Sequence, residues 1–275
     1  MTVGGSALLT RWITAFVVLP GLLALIWVPG LHWGLTLFVA FIAGVGLYEY
    51  YGLAVKTGAQ PQVVGGIATG VAVVLSGYFG ELMYTNAALM SAIVIVAFLH
   101  VTHPPPRAAG IASSVFGTVY VGWFLAHILL LHAIEGNGAG IVMTLLVVVA
   151  LTDTAAYFVG KKFGRRPLAP VVSPKKTWEG AIGGFAFAVL GMGVLYGLRT
   201  AMDWSALPDW SLPRYMLSGA GVSAVAQVGD LIASSFKRDA DVKDSGRLFP
   251  GHGGVLDRCD GFLFGAPVLY YMAIL

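Results

Sequence analysis

The sequence predicts an all-α fold: a polytopic integral membrane helical bundle of about nine transmembrane helices. Three observations carry that prediction. Of 275 residues, 57% are hydrophobic and only 11% charged, whereas soluble domains carry about 25% charged residues. Apolar runs near the ~20 residues needed to cross the hydrocarbon core recur along the chain. Lysine and arginine avoid those runs and gather in alternate connections, the bias that orients membrane proteins. Mean hydropathy is +0.82.

Taken in order, the candidate spans are residues 12–29, 33–53, 62–80, 86–101, 110–132, 138–160, 178–198, 214–236 and 261–275. The first follows a lone Arg11 and shows no clear small-residue cleavage site, so it reads as a retained anchor rather than a removed signal peptide. Between the fourth and fifth, the prolines at 104–106 with Arg107 form a stiff connector. The ninth is short and contains Pro267. Arg11, Lys56, Arg107, six basic residues of 161–176 and five of 237–258 fall on one side, fourteen of the sixteen in the chain. That side is expected to be cytoplasmic. The opposite connections carry Glu81, Glu135 and the mixed segment 199–214.

A net charge of +3 gives no nucleic-acid surface, and the single Cys259 excludes an internal disulfide or a CxxC metal pair. The chain is expected to be one membrane domain over 1–275, with apolar helices in 1–135 and the catalytic site in 136–275. The unusual polar residues come almost entirely after Leu151.

Two constellations stand out there. In the segment 151–180, Asp153 and Tyr157 share one helix face, and Lys175 and Lys176 follow Ser173-Pro174, which reads as N-cap and first turn of the seventh span. Such a start would aim both lysines at an anion. The second constellation is the segment 227–261; with Ser223 just before it, Gln227, Asp230 and Ser234 make a polar stripe on the eighth span, at intervals of four, three and four. A carboxylate in such a stripe must face protein or water. The next stretch, 237–260, holds Lys237, Arg238, Lys243, Asp244, Arg247, His252, Asp257, Arg258 and Asp260, and its GHGG sequence permits close approach of main-chain amides to a ligand. Carboxylates that could hold Mg2+, set among basic residues, suit phosphoryl or nucleotidyl transfer. No GxxxxGK[ST] motif is present, and His32, His100, His103, His127 and His132 lack ligand spacing, so they read as packing or interfacial residues. The glycines of GMGVLYG at 191–197 read as helix-packing positions.

The stretch from Ser234 to Asp260, with Lys237-Arg238, Lys243-Asp244, Pro250-Gly251-His252-Gly253-Gly254 and Asp257-Arg258, resembles the signature of the phosphatidate cytidylyltransferases, or CDP-diacylglycerol synthases. Asp153, Tyr157, Lys175, Lys176 and Glu179-Gly180 are similar to that family's other cytoplasmic motif. The resemblance implies transfer of CMP from CTP to phosphatidic acid in an inner membrane, with pyrophosphate released. It implies Mg2+, with K+ in at least some members, on Asp230 and Asp257. It places Lys237, Arg238, Lys243, Asp244, His252 and Asp260 in the catalytic site, with Asp153, Lys175, Lys176, Ser234 and Arg258 binding substrate. It also suggests a homodimer in the bilayer. Ala233, Asp241, Cys259 and Gly261 depart from the family pattern, and Ala233 removes a glutamate that could meet a metal or a lysine. A CTP-dependent lipid kinase, which would release CDP, and a transporter are the alternatives; the one-sided placement of polar residues weighs against the transporter.

Overall fold

The computed structural model describes residues 20–102, 108–246 and 253–275. Its helices are α1 His32–Lys56, α2 Val63–Ser76, α3 Leu82–Thr102, α4 Ala108–Gly117, α5 Phe124–His132, α6 Gly138–Phe163, α7 Trp178–Ala201, α8 Leu212–Asp239 and α9 Leu256–Ile274. A 3-10 turn, Gly77–Phe79, extends α2, and a π-helical segment, Thr118–Trp123, joins α4 to α5 in one continuous rod. Residues 20–27 are also helical, which is the described part of the first predicted span. Six helices are long and apolar enough to cross a membrane, counting Ala108–His132 as one, and Val63–Phe79 is a shorter apolar helix. The chain is thus a multi-pass membrane protein. Its outward faces are apolar, with Met83, Val94 and Phe98 exposed on α3 and Phe187, Leu190 and Val194 on α7.

The ninth element begins earlier than its apolar run suggests. Helix α9 starts at Leu256, so Asp257 and Arg258 stand in its first turn, with Asp260 just beyond, and not in a loop. Carboxylates there are favoured by the positive end of the helix dipole. Lys237 and Arg238 lie in the last turn of α8, at the end where cations are favoured.

Packing joins both halves of the sequence. The buried core includes Leu35, Leu47 and Tyr120 from the first half and Leu145, Met192 and Leu263 from the second. The π-helical segment places Tyr120 among Tyr50 of α1, Phe236 of α8 and Phe264 of α9, with ring centroids 5.6–6.1 Å from each. Helices α6 and α7 approach closely through glycine. A Cβ at Gly180 would stand 2.8 Å from the Ala156 carbonyl, and one at Gly184 2.7 Å from that of Thr152. The pattern at 191–197 serves this purpose only at Gly191, which packs on Leu151; around Gly193 and Gly197 no described atom would lie within 4 Å of an added Cβ.

One local expectation is corrected. The segment Ser173–Thr177 is strand β2, paired antiparallel with β1 Pro167–Ala169 in the register Pro167↔Thr177 and Ala169↔Ser173. The helix starts four residues beyond the expected Pro174, because Thr177 is a better-placed cap: its backbone is extended, and its Oγ1 accepts from the Gly180 amide at 3.2 Å. Glu179 Oε2 accepts from the Arg165 and Arg166 amides at 3.0 and 3.2 Å, tying the hairpin to α7. The segment that reads as a helix start is the second strand of a hairpin.

Candidate active site

The polar stripe of α8 faces protein, as a carboxylate-bearing stripe within an apolar helix must. Thr152 of α6 donates to Ser223 Oγ at 2.9 Å, and Gln227 Nε2 approaches the same oxygen at 3.5 Å. Two turns on, Asp230 Oδ2 pairs with Lys176 Nζ at 2.5 Å. This contact brings β2 to α8 and unites the two constellations. Ser234 Oγ lies 3.5 Å from Asp230 Oδ1.

Between α6, the hairpin, the start of α7 and α8 lies a cleft of about 500 Å³. Its charged lining is Asp153, Lys161, Lys175, Lys176 and Asp230, with Tyr157 and Gln227 beside them. Gly160, Gly180 and Ala181 also line it, so backbone is within reach of an occupant. Lys161 stands over the Tyr157 ring, 5.8 Å from its centroid. Three lysines lining one cleft, Lys161 from α6 and Lys175 and Lys176 from β2, can neutralise a polyphosphate.

A second cluster adjoins it at the start of α9. Asp257 Oδ1 accepts from Lys237 Nζ at 2.6 Å. Its Oδ2 accepts from the Ser245 amide at 2.8 Å, the Ser245 hydroxyl at 3.0 Å and the Gly254 amide at 3.0 Å. Gly253 has φ +81°, and an added Cβ there would stand 2.8 Å from Asp257 Oδ2. That glycine is required both by its backbone and by the carboxylate above it. Asp260 links the clusters, interacting electrostatically with Asp230, Asp153 and Lys237. At the same level α8 touches α9 backbone to backbone, since a Cβ on Gly229 would meet the Asp260 carbonyl.

Of the residues expected to form the site, Asp153, Lys175, Lys176 and Asp230 line the cleft, Ser234 touches Asp230, and Lys237, Asp257 and Asp260 form the adjoining cluster. Arg258 lies near enough to Asp153 to act on it electrostatically. Arg238 turns away, donating from Nε to the Val172 carbonyl at 3.1 Å and bracing the hairpin. Lys243 and Asp244 are exposed on the preceding loop. His252 lies outside the described residues. Among the described residues no three His, Cys, Asp or Glu side chains converge as a ready metal cage.

Sequence reasoning missed Lys161 and Gln227 as lining residues and missed Glu49 altogether. Glu49, 6% exposed on α1, receives the Ser245 hydroxyl at 2.8 Å and the Val255 and Leu256 amides at 3.0 and 2.9 Å. A signal was available, since it is the only charged residue within the first five predicted spans.

The chain matches the model of the cytidylyltransferase family over residues 9–275. It is 39% identical over 269 residues to a phosphatidate cytidylyltransferase of Brucella suis, covering 96% of this chain and 93% of that protein. A phosphatidate cytidylyltransferase of Staphylococcus aureus is 29% identical over 272 residues, covering 96% of this chain and 98% of that protein. One from Bacillus subtilis is 38% identical over 157 residues, covering 57% and 56%.

Proposed function

The chain belongs to the cytidylyltransferase family, and from that membership and its cleft we infer that it transfers CMP from CTP to phosphatidate, giving CDP-diacylglycerol and pyrophosphate. An oxygen of the lipid phosphate attacks the α-phosphorus of CTP as the bond to the β-phosphate oxygen breaks. The observation that carries the reading is the Lys176–Asp230 pair, in a cleft among transmembrane helices that gathers three lysines and two carboxylates. A lipid phosphate and a soluble triphosphate can meet only where such a cleft adjoins the bilayer.

The chain's residues then divide the work. Lys161, Lys175 and Lys176 hold the triphosphate and offset the charge that grows on the departing pyrophosphate. Lys237 and Asp260 extend that polar surface toward the start of α9. The donor set fits Mg2+, which takes one or two carboxylates and completes its shell with water and phosphate. Asp230, met by Lys176 and by a long contact from Ser234, would hold it; Asp257, the second residue of the expected pair, would join only by exchanging one of the donors that now fill its acceptor positions. When bound, the ion would polarise the phosphates and offset their charge. Placement in an inner membrane, a cleft facing the cytoplasm and assembly as a homodimer are parts of the same proposal. The basic hairpin and α8–α9 loop support the orientation.

The test is purified protein in mixed micelles with Mg2+, labelled CTP and phosphatidic acid. Label should enter the lipid phase with one pyrophosphate per CDP-lipid. Release of CDP would identify a lipid kinase instead, and absence of turnover with any lipid acceptor would reject the reading.

A further inference from the structure

The loop before α9 needs an external support. Among the described residues between α8 and α9, 240–246 and 253–255, there is no helix to hold the chain in place, yet Asp257, Ser245 and Gly254 meet within hydrogen-bond distance. The first amides of a helix have no partners inside it. Here the Val255 and Leu256 amides find theirs on Glu49, a side chain 206 and 207 residues earlier in sequence. Glu49 Oε2 also accepts from the Ser245 hydroxyl, which reaches Asp257 Oδ2 as well, so one serine lies between the two carboxylates. The loop is shaped to this carboxylate. A Cβ on Gly246 or Gly254 would fall within 2.0–2.3 Å of a Glu49 carboxylate oxygen, and both positions are glycine.

We propose that Glu49 is a positioning residue for the transferase site: from α1 it clamps Ser245 and the start of α9, and so fixes where the Asp257 carboxylate stands. The inference rests on the reading of Asp257 as part of that site. It also explains why an apolar half without other charged residues in its predicted spans carries this one.

The test uses the full chain in detergent with Glu49→Gln, Ser245→Ala, their double variant and Gly246→Ala. Glutamine keeps the shape but turns an NH2 group toward one of the helix amides, leaving donor against donor. kcat should fall about 30-fold, with KM for CTP changing less than about 3-fold. Because Glu49 and Ser245 both act by fixing the same Asp257 carboxylate, their losses should not multiply, and the double variant should be within about 3-fold of Glu49→Gln alone. Gly246→Ala, which displaces the carboxylate without removing it, should reproduce the loss in kcat. Independently of activity, amide exchange in 253–258 should quicken about tenfold in Glu49→Gln while peptides of α3 and α7 keep their wild-type rates. Unchanged kcat in Glu49→Gln or in Gly246→Ala, or losses that multiply in the double variant, would overturn the proposal. So would faster exchange throughout the protein, the mark of a merely structural residue. If Glu49→Gln does not fold, Gly246→Ala decides through kcat and local exchange. If the wild type makes no CDP-lipid, the functional reading fails, while local exchange still decides whether Glu49 holds the loop.

Discussion

Asp257 and Asp230 are the same residue type in different states of engagement. A carboxylate offers about four acceptor positions, and at Asp257 those are met by Lys237, the Ser245 hydroxyl and two backbone amides. Asp230 pairs with Lys176 and, among the described residues, meets only a long contact from Ser234. Asparagine at 257 would put a donor against one of those four donors and leave Lys237 without its counter-charge. Breaking a largely buried pair from one side costs about 3 kcal/mol or more, so Asp257→Asn should lower kcat on the order of 100-fold. The assay is CTP-dependent CDP-lipid formation by protein that still elutes as wild type in detergent. Activity within threefold of wild type would remove Asp257 from the mechanism. Both aspartates were legible in the sequence, because each lies in a dense polar motif. Glu49 was legible only as a lone charge in an apolar span; its role was not, because its partners Ser245, Val255 and Leu256 lie 196 to 207 residues away.

At the scale of elements, spans 33–53 through 214–236 match observed helices to within a few residues, since length and apolarity are set by the bilayer. The misread segment is the one whose structure depends on pairing. Ser173-Pro174 has the composition of a helix start, but Pro167–Ala169 takes up the strand beside it, and Thr177 caps the helix. Lys175 and Lys176 consequently reach the cleft from a strand, not from the amide-rich end of a helix. Helix α7 is then held against α6 by absent side chains. Gly184→Val would drive a Cβ to 2.7 Å from the Thr152 carbonyl. Overpacking of this kind costs about 1–3 kcal/mol, so thermal unfolding in detergent should occur at lower temperature than in wild type. Gly193→Ala, where no described atom would be met, should be neutral or slightly stabilising. Equal destabilisation by both would show that α6 and α7 do not pack through Gly184.

At the scale of the whole molecule, fourteen of the sixteen basic residues fall in connections expected on one side of the membrane, and helix α7 makes that expectation testable. Its 24 residues span about 36 Å at 1.5 Å per residue, more than the ~30 Å hydrocarbon core. The hairpin before it and the 202–211 connection after it must therefore lie on opposite membrane faces. The hairpin side carries Lys161, Lys162, Arg165, Arg166, Lys175 and Lys176, whereas the far side carries Asp203 and Asp209, with Arg199 held at 2.5 Å by Asp209. The proposal that the hairpin, and with it the cleft, faces the cytoplasm rests on the positive-inside bias. In a Cys259→Ala background, single cysteines at the exposed positions Arg165→Cys and Ser205→Cys read this directly. In intact spheroplasts an impermeant maleimide should label the cysteine at 205 at once and the one at 165 only after permeabilisation. The reverse pattern would turn the cleft away from the cytoplasm and sever it from its nucleotide, while labelling of both before permeabilisation would contradict α7 as a membrane-crossing helix.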